Sequence, residues 1–272
     1  MRLDLHMHTT ASDGSWSPAA VVKGAVAGGL DVIASPDHDT TAAVVPAQTA
    51  AADLRLQVIP GIEVSSTHEG RDVHVLGYFV DLDAAPLMAH GVRAGLRRED
   101  RMKEMVERLR VRGIDVTYEA VERAAGPDRV VIGRPHLARV LVEAGHATSS
   151  WDAFDRLIGD ESEAFVPTHL LDPVGAVELI LASDGIPIWA HPPGDMVDGL
   201  LPTLKEAGLR GLEVYRPRHK RSQVLRYESI CSSAGLLMSG GSDWHNPDHG
   251  SALGDFHVSG DEVEGLLQAG GM

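Results

Sequence analysis

The sequence predicts an α/β fold, a mostly parallel sheet, open or closed into a barrel, interrupted by a block of helices. Three observations predict it. Strand and helix signals alternate over about the first 80 residues. The same alternation resumes near residue 167 and runs to the C-terminal end. Between them, over residues 84–166, strand signals vanish and helical periodicity takes over. The expected organisation is a discontinuous barrel, 1–83 and 167–272, with 84–166 inserted as a helical unit that caps one end.

Each element has its own warrant. Leu3 to His8 reads as a strand, Leu3 and Leu5 alternating with Asp4 and His6. Ser12-Asp13-Gly14-Ser15 is a turn. Ser17-Pro18 opens a helix through about Gly28, with Ser as N-cap and Pro at the first helical position. Asp31 to Ser35 is a short buried strand, and Leu56 to Pro60 a third strand. Thr41 to Asp53 is a helix between them, with Pro46 confined to its first turns. Glu63 to Ser66 and Val73 to Phe79 form a hairpin closed by His68-Glu69-Gly70-Arg71.

In the insertion, Pro86 to Arg112 is helical, with Met102, Met105, Val106 and Leu109 on one face. Shorter helices follow around Thr117 to Ala125, Pro135 to Glu143 and Ser150 to Leu157. After it come helices Pro173 to Ser183, Leu200 to Ala207, Lys220 to Ser233 and Gly260 to Gln268. The strands Ile186 to Ala190, Gly211 to Tyr215 and Leu236 to Ser239 lie among them.

The bulk properties bound the function. With 272 residues, 43% of them hydrophobic, a sizeable core is available and disorder is not expected. No apolar run nears the roughly 18 residues of a membrane helix. Met1 to His6 puts an acid and a His where a signal peptide needs an apolar stretch, so a cytoplasmic protein with no membrane partner is expected. The single cysteine, Cys231, excludes an internal disulfide and a cysteine-based zinc cage. A net charge of −15 argues against long duplex nucleic acid as a partner. It leaves room for a local basic pocket, and bound cations would cancel part of it. Nothing in the sequence indicates the oligomeric state.

The chemistry lies in the 14 histidines and the acids beside them. His6 and His8 are two apart, so on a strand their imidazoles share a face, at the end where α/β barrels place chemistry. Alone, such a pair is weak. Asp13, however, follows in the turn just beyond, and Asp37-His38-Asp39 follows the second strand. Glu63 and His74 lie on the hairpin, His191 ends a strand, and Asp243-Trp244-His245 follows another. Nearly every strand thus ends in a His or an acid, which chance does not explain. A ligand set without thiolate suits Mn²⁺, Zn²⁺ or Fe²⁺. Even without Asp37 and Asp39, nine ligands remain, more than one ion needs, and they suit two or three that share carboxylates. Such ions lower the pKa of a bridging water and clamp both oxygens of an in-line displacement. That is the chemistry of phosphoester hydrolysis.

At these residues the sequence resembles the PHP (polymerase and histidinol phosphatase) family. The matching motifs are His6-Met7-His8 with Asp13, Asp37-His38-Asp39-Thr40, His191-Pro192, and Gly241-Ser242-Asp243-Trp244-His245. Pro36 departs from the pattern, since many relatives carry Thr there. The resemblance implies a distorted (β/α)7 TIM-like barrel with a multinuclear site. It carries the ligand role to His6, His8, Asp13, His38, Glu63, His74, His191, Asp243 and His245, with Mn²⁺ the first candidate. Asp37 and Asp39 are expected to orient His38 by hydrogen bonds rather than to ligate. The insertion with Gly133-Arg134-Pro135-His136 looks like the branch that acts on nucleotides and short RNA.

A phosphate needs positive charge beyond the metals. Arg134 and His136 stand at a helix start, where amides also attract anions, although a merely solvated helix start reads the same way. Arg216 to Arg221 holds five basic residues in six positions at the rim. Arg216 and His219 are the ones expected to reach substrate. Arg97, Arg98, Arg101 and Lys103 on the long helix are either a charged outer face opposite Met102 and Met105 or substrate contacts, Arg101 the first among them. Aromatic residues are only 4%, with no ladder for a long single strand, and Tyr78, Phe79, Tyr215 and Trp244 are expected to pack or shape the site.

The expected activity is removal of the 3′-phosphate of nucleoside 3′,5′-bisphosphates by a metal-bridging hydroxide. Asp13 and His245 hold the ions and Arg134 neutralises phosphate. No Ser, Cys or Asp sits in a nucleophile elbow, so no covalent intermediate is expected. The first alternative is a 5′→3′ exoribonuclease on short 5′-phosphorylated oligonucleotides. A histidinol-phosphate phosphatase, an amide hydrolase and a non-catalytic metal-binding module rank lower.

Overall fold

The computed structural model describes residues 1–247 and 252–272. Strand β1 (Arg2–Asp4) is followed by α1 (Pro18–Ala27), β2 (Val32–Ala34), α2 (Val44–Ala51) and β3 (Gln57–Ile59). Ser17 caps α1 by accepting the Ala20 amide at 3.3 Å, with Pro18 in the first turn, where an amide has no helical partner. α2 begins three residues later than expected. The Ala42 amide donates to Thr40 Oγ1 at 3.2 Å and the Val44 amide to the Thr41 carbonyl at 3.0 Å, so the chain turns before it coils. Pro46 still falls in the first helical turn.

Strands β4 (Gly61–His68) and β5 (Arg71–Tyr78) make a longer hairpin than expected. Glu69 and Gly70 adopt φ of 48° and 80°, the left-handed pair that a two-residue turn of matching twist requires. That turn sets the register from His68 opposite Arg71 to Gly61 opposite Tyr78.

Four helices follow: α3 (Ala85–Val111), α4 (Tyr118–Ala125), α5 (Arg134–Glu143) and α6 (Ser150–Ala153). α6 runs into a π-helical turn, Phe154–Ile158. The stripe Met102, Met105, Val106 and Leu109 of α3 is buried, packing with Leu137, Leu141 and Val166. The chain then returns to the sheets through α7 (Pro173–Leu181), β6 (Ile186–Trp189), α8 (Val197–Glu206), β7 (Gly211–Tyr215), α9 (Arg221–Ala234), β8 (Leu237–Gly240), β9 (Val258–Ser259) and α10 (Glu264–Ala269).

The strands form two sheets, in the orders β3-β2-β1-β9 and β4-β5-β6-β7-β8. β1 to β3 are parallel, as are β6 to β8, but β4, β5 and β6 pair antiparallel. A continuous ring of parallel strands is therefore not what the pairing shows, because the tight hairpin reverses the chain and breaks the strand–helix repeat. β9, two residues antiparallel to β1, is too short to leave a periodic signal. Between the sheets run isolated bridges, Met7 to Trp244 and His38 to Glu63. Met7, His38 and Trp244 lie just beyond strand ends and Glu63 lies near the start of β4, so the seams between the sheets are built from the histidine and carboxylate motifs. β1 itself stops at Asp4, short of the expected His8. No helix among the described residues is long and apolar enough to cross a membrane.

Candidate metal centre

Past β1 the chain stays extended because the other sheet holds it. The Leu5 amide donates to Gly240 O at 3.2 Å, the His8 amide to Trp244 O at 2.8 Å, and the Asp243 amide to His6 O at 2.7 Å. Gly241 is required at this seam, since a Cβ there would lie 2.3 Å from the His6 nitrogen. Met7 points into the apolar cluster around Val21, Val22 and Trp244. His6 and His8 therefore face the other way, with their Nε2 atoms 3.3 Å apart.

The turn that presents Asp13 is organised by Asp37. Its carboxylate accepts the Thr9 amide and hydroxyl, both at 2.8 Å, and the Ser12 hydroxyl at 2.5 Å. Asp13 then stands 3.4 Å from His245 Nε2 and 3.6 Å from both His8 Nδ1 and His38 Nε2. Asp39 faces the inserted helices instead. It accepts from Arg98 at 2.7 Å, His90 at 2.9 Å and the Ser65 amide at 2.8 Å. The expectation that Asp37 and Asp39 orient the His38 ring is thus corrected, for their oxygens are taken up by the Asp13 turn and by α3.

Glu63 is the centre of the arrangement. Its Oε1 lies 3.0 Å from His74 Nδ1 and 3.0 Å from His191 Nε2. Its Oε2 lies 3.0 Å from His38 Nδ1, 3.3 Å from His8 Nε2 and 3.4 Å from His6 Nε2. Asp243 closes the far side, with Oδ1 3.3 Å from His8 Nε2 and Oδ2 accepting from Arg216 at 2.7 Å. The nine residues assigned as ligands from the sequence thus converge in one place. Three groups of donor atoms can each hold an ion: His8, Asp13, His38 and His245; His6, His8 and Asp243; and His38, Glu63 and His74.

The donor chemistry fits cations. His6 Nδ1 donates to Glu213 Oε1 at 2.8 Å, and a carboxylate can only accept, so in the neutral ring Nε2 is a bare lone pair aimed at Glu63 and Asp243. His245 Nδ1 likewise donates to the Asp243 carbonyl at 2.9 Å, leaving Nε2 toward Asp13. His38 Nδ1 and Glu63 Oε2 are buried without a hydrogen-bond partner, although 3.0 Å apart. Lone pairs facing carboxylates repel unless something positive lies between them.

The electrostatics agree. Burial pushes the carboxyls of Asp13, Glu63 and Asp243 up, but the surrounding imidazoles hold all three well below the ordinary range. Burial lowers His6, yet Glu213, Glu63 and Asp243 bring it well above the usual imidazole value. His245 reaches about 9 for the same reason, through Asp13 and Asp243 against burial. In His38 burial prevails and holds it at about 3. The three buried carboxylates stay ionised and favour positive charge at His6 and His245, while burial keeps His38 neutral.

The basic candidates surround this centre. Arg101 is buried, donating to Val166 O at 2.5 Å and to Asp72 at 3.1 Å, so it is not part of an outer face. Arg134 lies 3.5 Å from the same Asp72 oxygen and donates to Asp160 at 2.5 Å. His136 accepts the Gly133 amide on Nδ1 at 3.1 Å, and burial lowers it to about 4, which keeps it neutral. The segment before α5 reaches this cluster at Gly133, where a Cβ would come 2.9 Å from Asp13 Oδ2. Arg216 touches Asp243 directly, whereas His219 donates Nδ1 to Val214 O at 2.8 Å and packs on Tyr227.

Two residues escaped the sequence reading. Glu213 is fully buried in β7 and accepts both His6 Nδ1 and the His191 amide. An acid within an otherwise apolar strand, Gly211 to Tyr215, was its only signal. Arg98, expected either on a charged outer face or at substrate, is instead buried and spans Asp39 and Ser65.

Comparison with known proteins places this geometry. The chain is 34% identical over 251 residues to a 5′-3′ exoribonuclease of Haemophilus influenzae, covering 90% of each chain. It is 29% identical to a 3′,5′-nucleoside bisphosphate phosphatase of Chromobacterium violaceum, over 91% of this chain and 88% of that one. A solved structure from Bifidobacterium adolescentis, proposed to be a metal-dependent phosphoesterase, superposes with a TM-score of 0.87 at 29% identity, covering 98% and 96%. The PHP domain matches residues 4–166, which contain the first six of the nine converging ligands. With the last three, His191, Asp243 and His245, drawn into the same centre, the chain belongs to the PHP domain family.

Proposed function

We propose that this protein is a metal-dependent phosphomonoesterase that removes the 3′-phosphate of nucleoside 3′,5′-bisphosphates. The observation that carries the reading is Glu63, one buried carboxylate within 3.4 Å of five imidazole nitrogens, beside Asp13 and Asp243. Relatives that act on phosphate esters of nucleotides support the reaction class. His6, His8, Asp13, His38, Glu63, His74, His191, Asp243 and His245 would hold two or three divalent ions. When bound, such ions supply Lewis acidity, an activated water and charge at the leaving oxygen. We take Mn²⁺ as the first candidate on donor type, with Zn²⁺ and Fe²⁺ behind it.

The chain's own residues do the rest. Glu213 fixes the His6 tautomer, and Arg216 fixes the Asp243 carboxylate. Arg101 and Arg134, two guanidiniums sharing Asp72, would take the phosphate that is not cleaved by exchanging part of that pairing for phosphate oxygens. The neutral His136 stiffens the Gly133 turn against Asp13. Residues 84–166 we read as an insertion that covers the site, and the two sheets as a barrel distorted by the β4–β5 hairpin.

A second reading, 5′→3′ cleavage of short 5′-phosphorylated RNA, is favoured by the name of the relative at 34% identity. A screen with added Mn²⁺ separates the two. Inorganic phosphate from a nucleoside 3′,5′-bisphosphate supports the first, and mononucleotides from a 5′-phosphorylated trinucleotide the second. Turnover that persists in EDTA contradicts both.

A further inference from the structure

We infer that Trp151 and Arg218 form a stacking subsite for the second nucleobase of a short 5′-phosphorylated oligonucleotide, so that the site accepts a nucleotide chain by its end. The inference rests on the nucleotide phosphoesterase reading and extends its substrate class.

Trp151 is 54% exposed, the only aromatic among the exposed large apolar side chains of the described residues. It stands in α6, and the Arg218 guanidinium lies 4.2 Å from its ring centroid. Arg218 comes from the loop between β7 and α9. The pair therefore bridges the inserted helices and the sheets at a point where neither side is buried.

Its place relative to the metal centre can be traced through contacts. Two residues before Arg218, Arg216 is bonded to Asp243 at 2.7 Å. One helical turn after Trp151, the Phe154 ring lies 5.4 Å from the Arg134 guanidinium, which faces Asp72. Asp72 is two residues from His74 on β5 and so shares its face. The contacts thus lead from Asp243 through Arg216 toward Arg218, and from the helix of Trp151 through Phe154, Arg134 and Asp72 to the strand of His74. A nucleotide held between the metal ligands and Arg134 fills the inner part. On this inference a chain continuing from it meets Trp151 next.

The chemistry of the pair suits that passage. An indole stacks any base without regard to sequence, and the Arg218 guanidinium beside it can bind the phosphate of that base. One such platform, rather than a ladder, matches an oligonucleotide of a few residues.

The test compares Trp151→Ala, Trp151→Phe and Arg218→Ala with wild type on two substrates, a nucleoside 3′,5′-bisphosphate and a 5′-phosphorylated trinucleotide, with Mn²⁺. Binding of a 3′-labelled trinucleotide by fluorescence polarisation in Ca²⁺ buffer gives a readout independent of turnover. Trp151→Ala should weaken trinucleotide binding and raise its KM about tenfold or more, the usual effect of losing one stacked base. The bisphosphate kinetics should stay within about twofold, Trp151→Phe should recover most of the loss, and Arg218→Ala should fall between. Equal losses on both substrates, no loss on the trinucleotide, or a wild type that does not bind the trinucleotide overturns the inference. A wild type that binds the trinucleotide tightly but hydrolyses neither substrate overturns the phosphoesterase reading instead, while the binding comparison still tests the stacking.

Discussion

Glu213 Oε1 accepts His6 Nδ1 at 2.8 Å, joining positions 207 residues apart at the foot of the metal centre. Its second oxygen accepts the His191 amide, also at 2.8 Å, and neither partner contact is open to solvent on the Glu213 side. One carboxylate thus sets the tautomer of one histidine of the centre and the backbone of another. His191 needs that hold, since its φ of 31° is unfavourable for a residue with a Cβ. In Glu213→Gln the amide can donate as well as accept, and it no longer dictates which His6 nitrogen carries hydrogen. Divalent-ion affinity should fall about 10- to 100-fold with the fold intact by circular dichroism. Calorimetric titration that gives wild-type affinity would remove Glu213 from this role.

Asp13 faces three imidazoles at 3.4 to 3.6 Å, and they hold it ionised against burial. Asp13→Asn keeps the shape and removes the charge. Turnover should drop about 100-fold or more, a barrier increase of about 2.7 kcal/mol, while the chain still folds. Near-normal rates beside an unaltered thermal melt would take Asp13 out of the reaction.

Bound ions should also stabilise the fold, because they separate buried carboxylates and lone pairs that otherwise face one another around Glu63. Binding to the folded state alone contributes about 2.7 kcal/mol when the free ion is at about 100 times its Kd. Scanning calorimetry should show a higher Tm in excess Mn²⁺ than in EDTA. Superimposable melts would mean that no ion docks.

The convergence of the nine candidate residues was legible in the sequence because each follows a strand or lies on the hairpin, and these positions meet in space whatever the pairing of the strands. The sheet break was not, since the His68 to Arg71 turn signals a hairpin but not which sheet it joins. Glu213 was hidden for a different reason. It sits within β7 rather than at its end, and its partners at positions 6 and 191 are remote in sequence. Arg98 and Arg101 illustrate a third limit. Charge on a long helix is ordinarily solvated, and only the placement of Asp39 and Asp72 against α3 buries these two.

Arg98 makes the energetic cost of that burial measurable. It donates to Asp39 at 2.7 Å and to Ser65 at 2.7 Å while 4% exposed. Removing one partner of a buried pair strands the other charge. Arg98→Ala should destabilise the protein by about 3–5 kcal/mol in urea unfolding. A loss below about 1 kcal/mol would show that water reaches Asp39 and that α3 is not anchored there.

His136 gives a pH dependence with a definite sign. It is 2% exposed, its Nδ1 accepts the Gly133 amide, and burial lowers it from 6.5 to about 4. Between those values the unfolded chain binds the proton and the folded chain does not, so stability rises with pH across that window. The contribution is complete above pH 6.5 and is lost as pH falls toward 4, about 3 kcal/mol in all. Other groups titrate there too, so the measurement is a difference. His136→Gln keeps a side-chain acceptor for the Gly133 amide and cannot titrate. Urea unfolding in EDTA at pH 7.5 and pH 5 should show a smaller acid loss in this variant than in wild type. Parallel losses in the two proteins would mean that His136 protonates freely in the folded state and does not hold the turn beside Asp13.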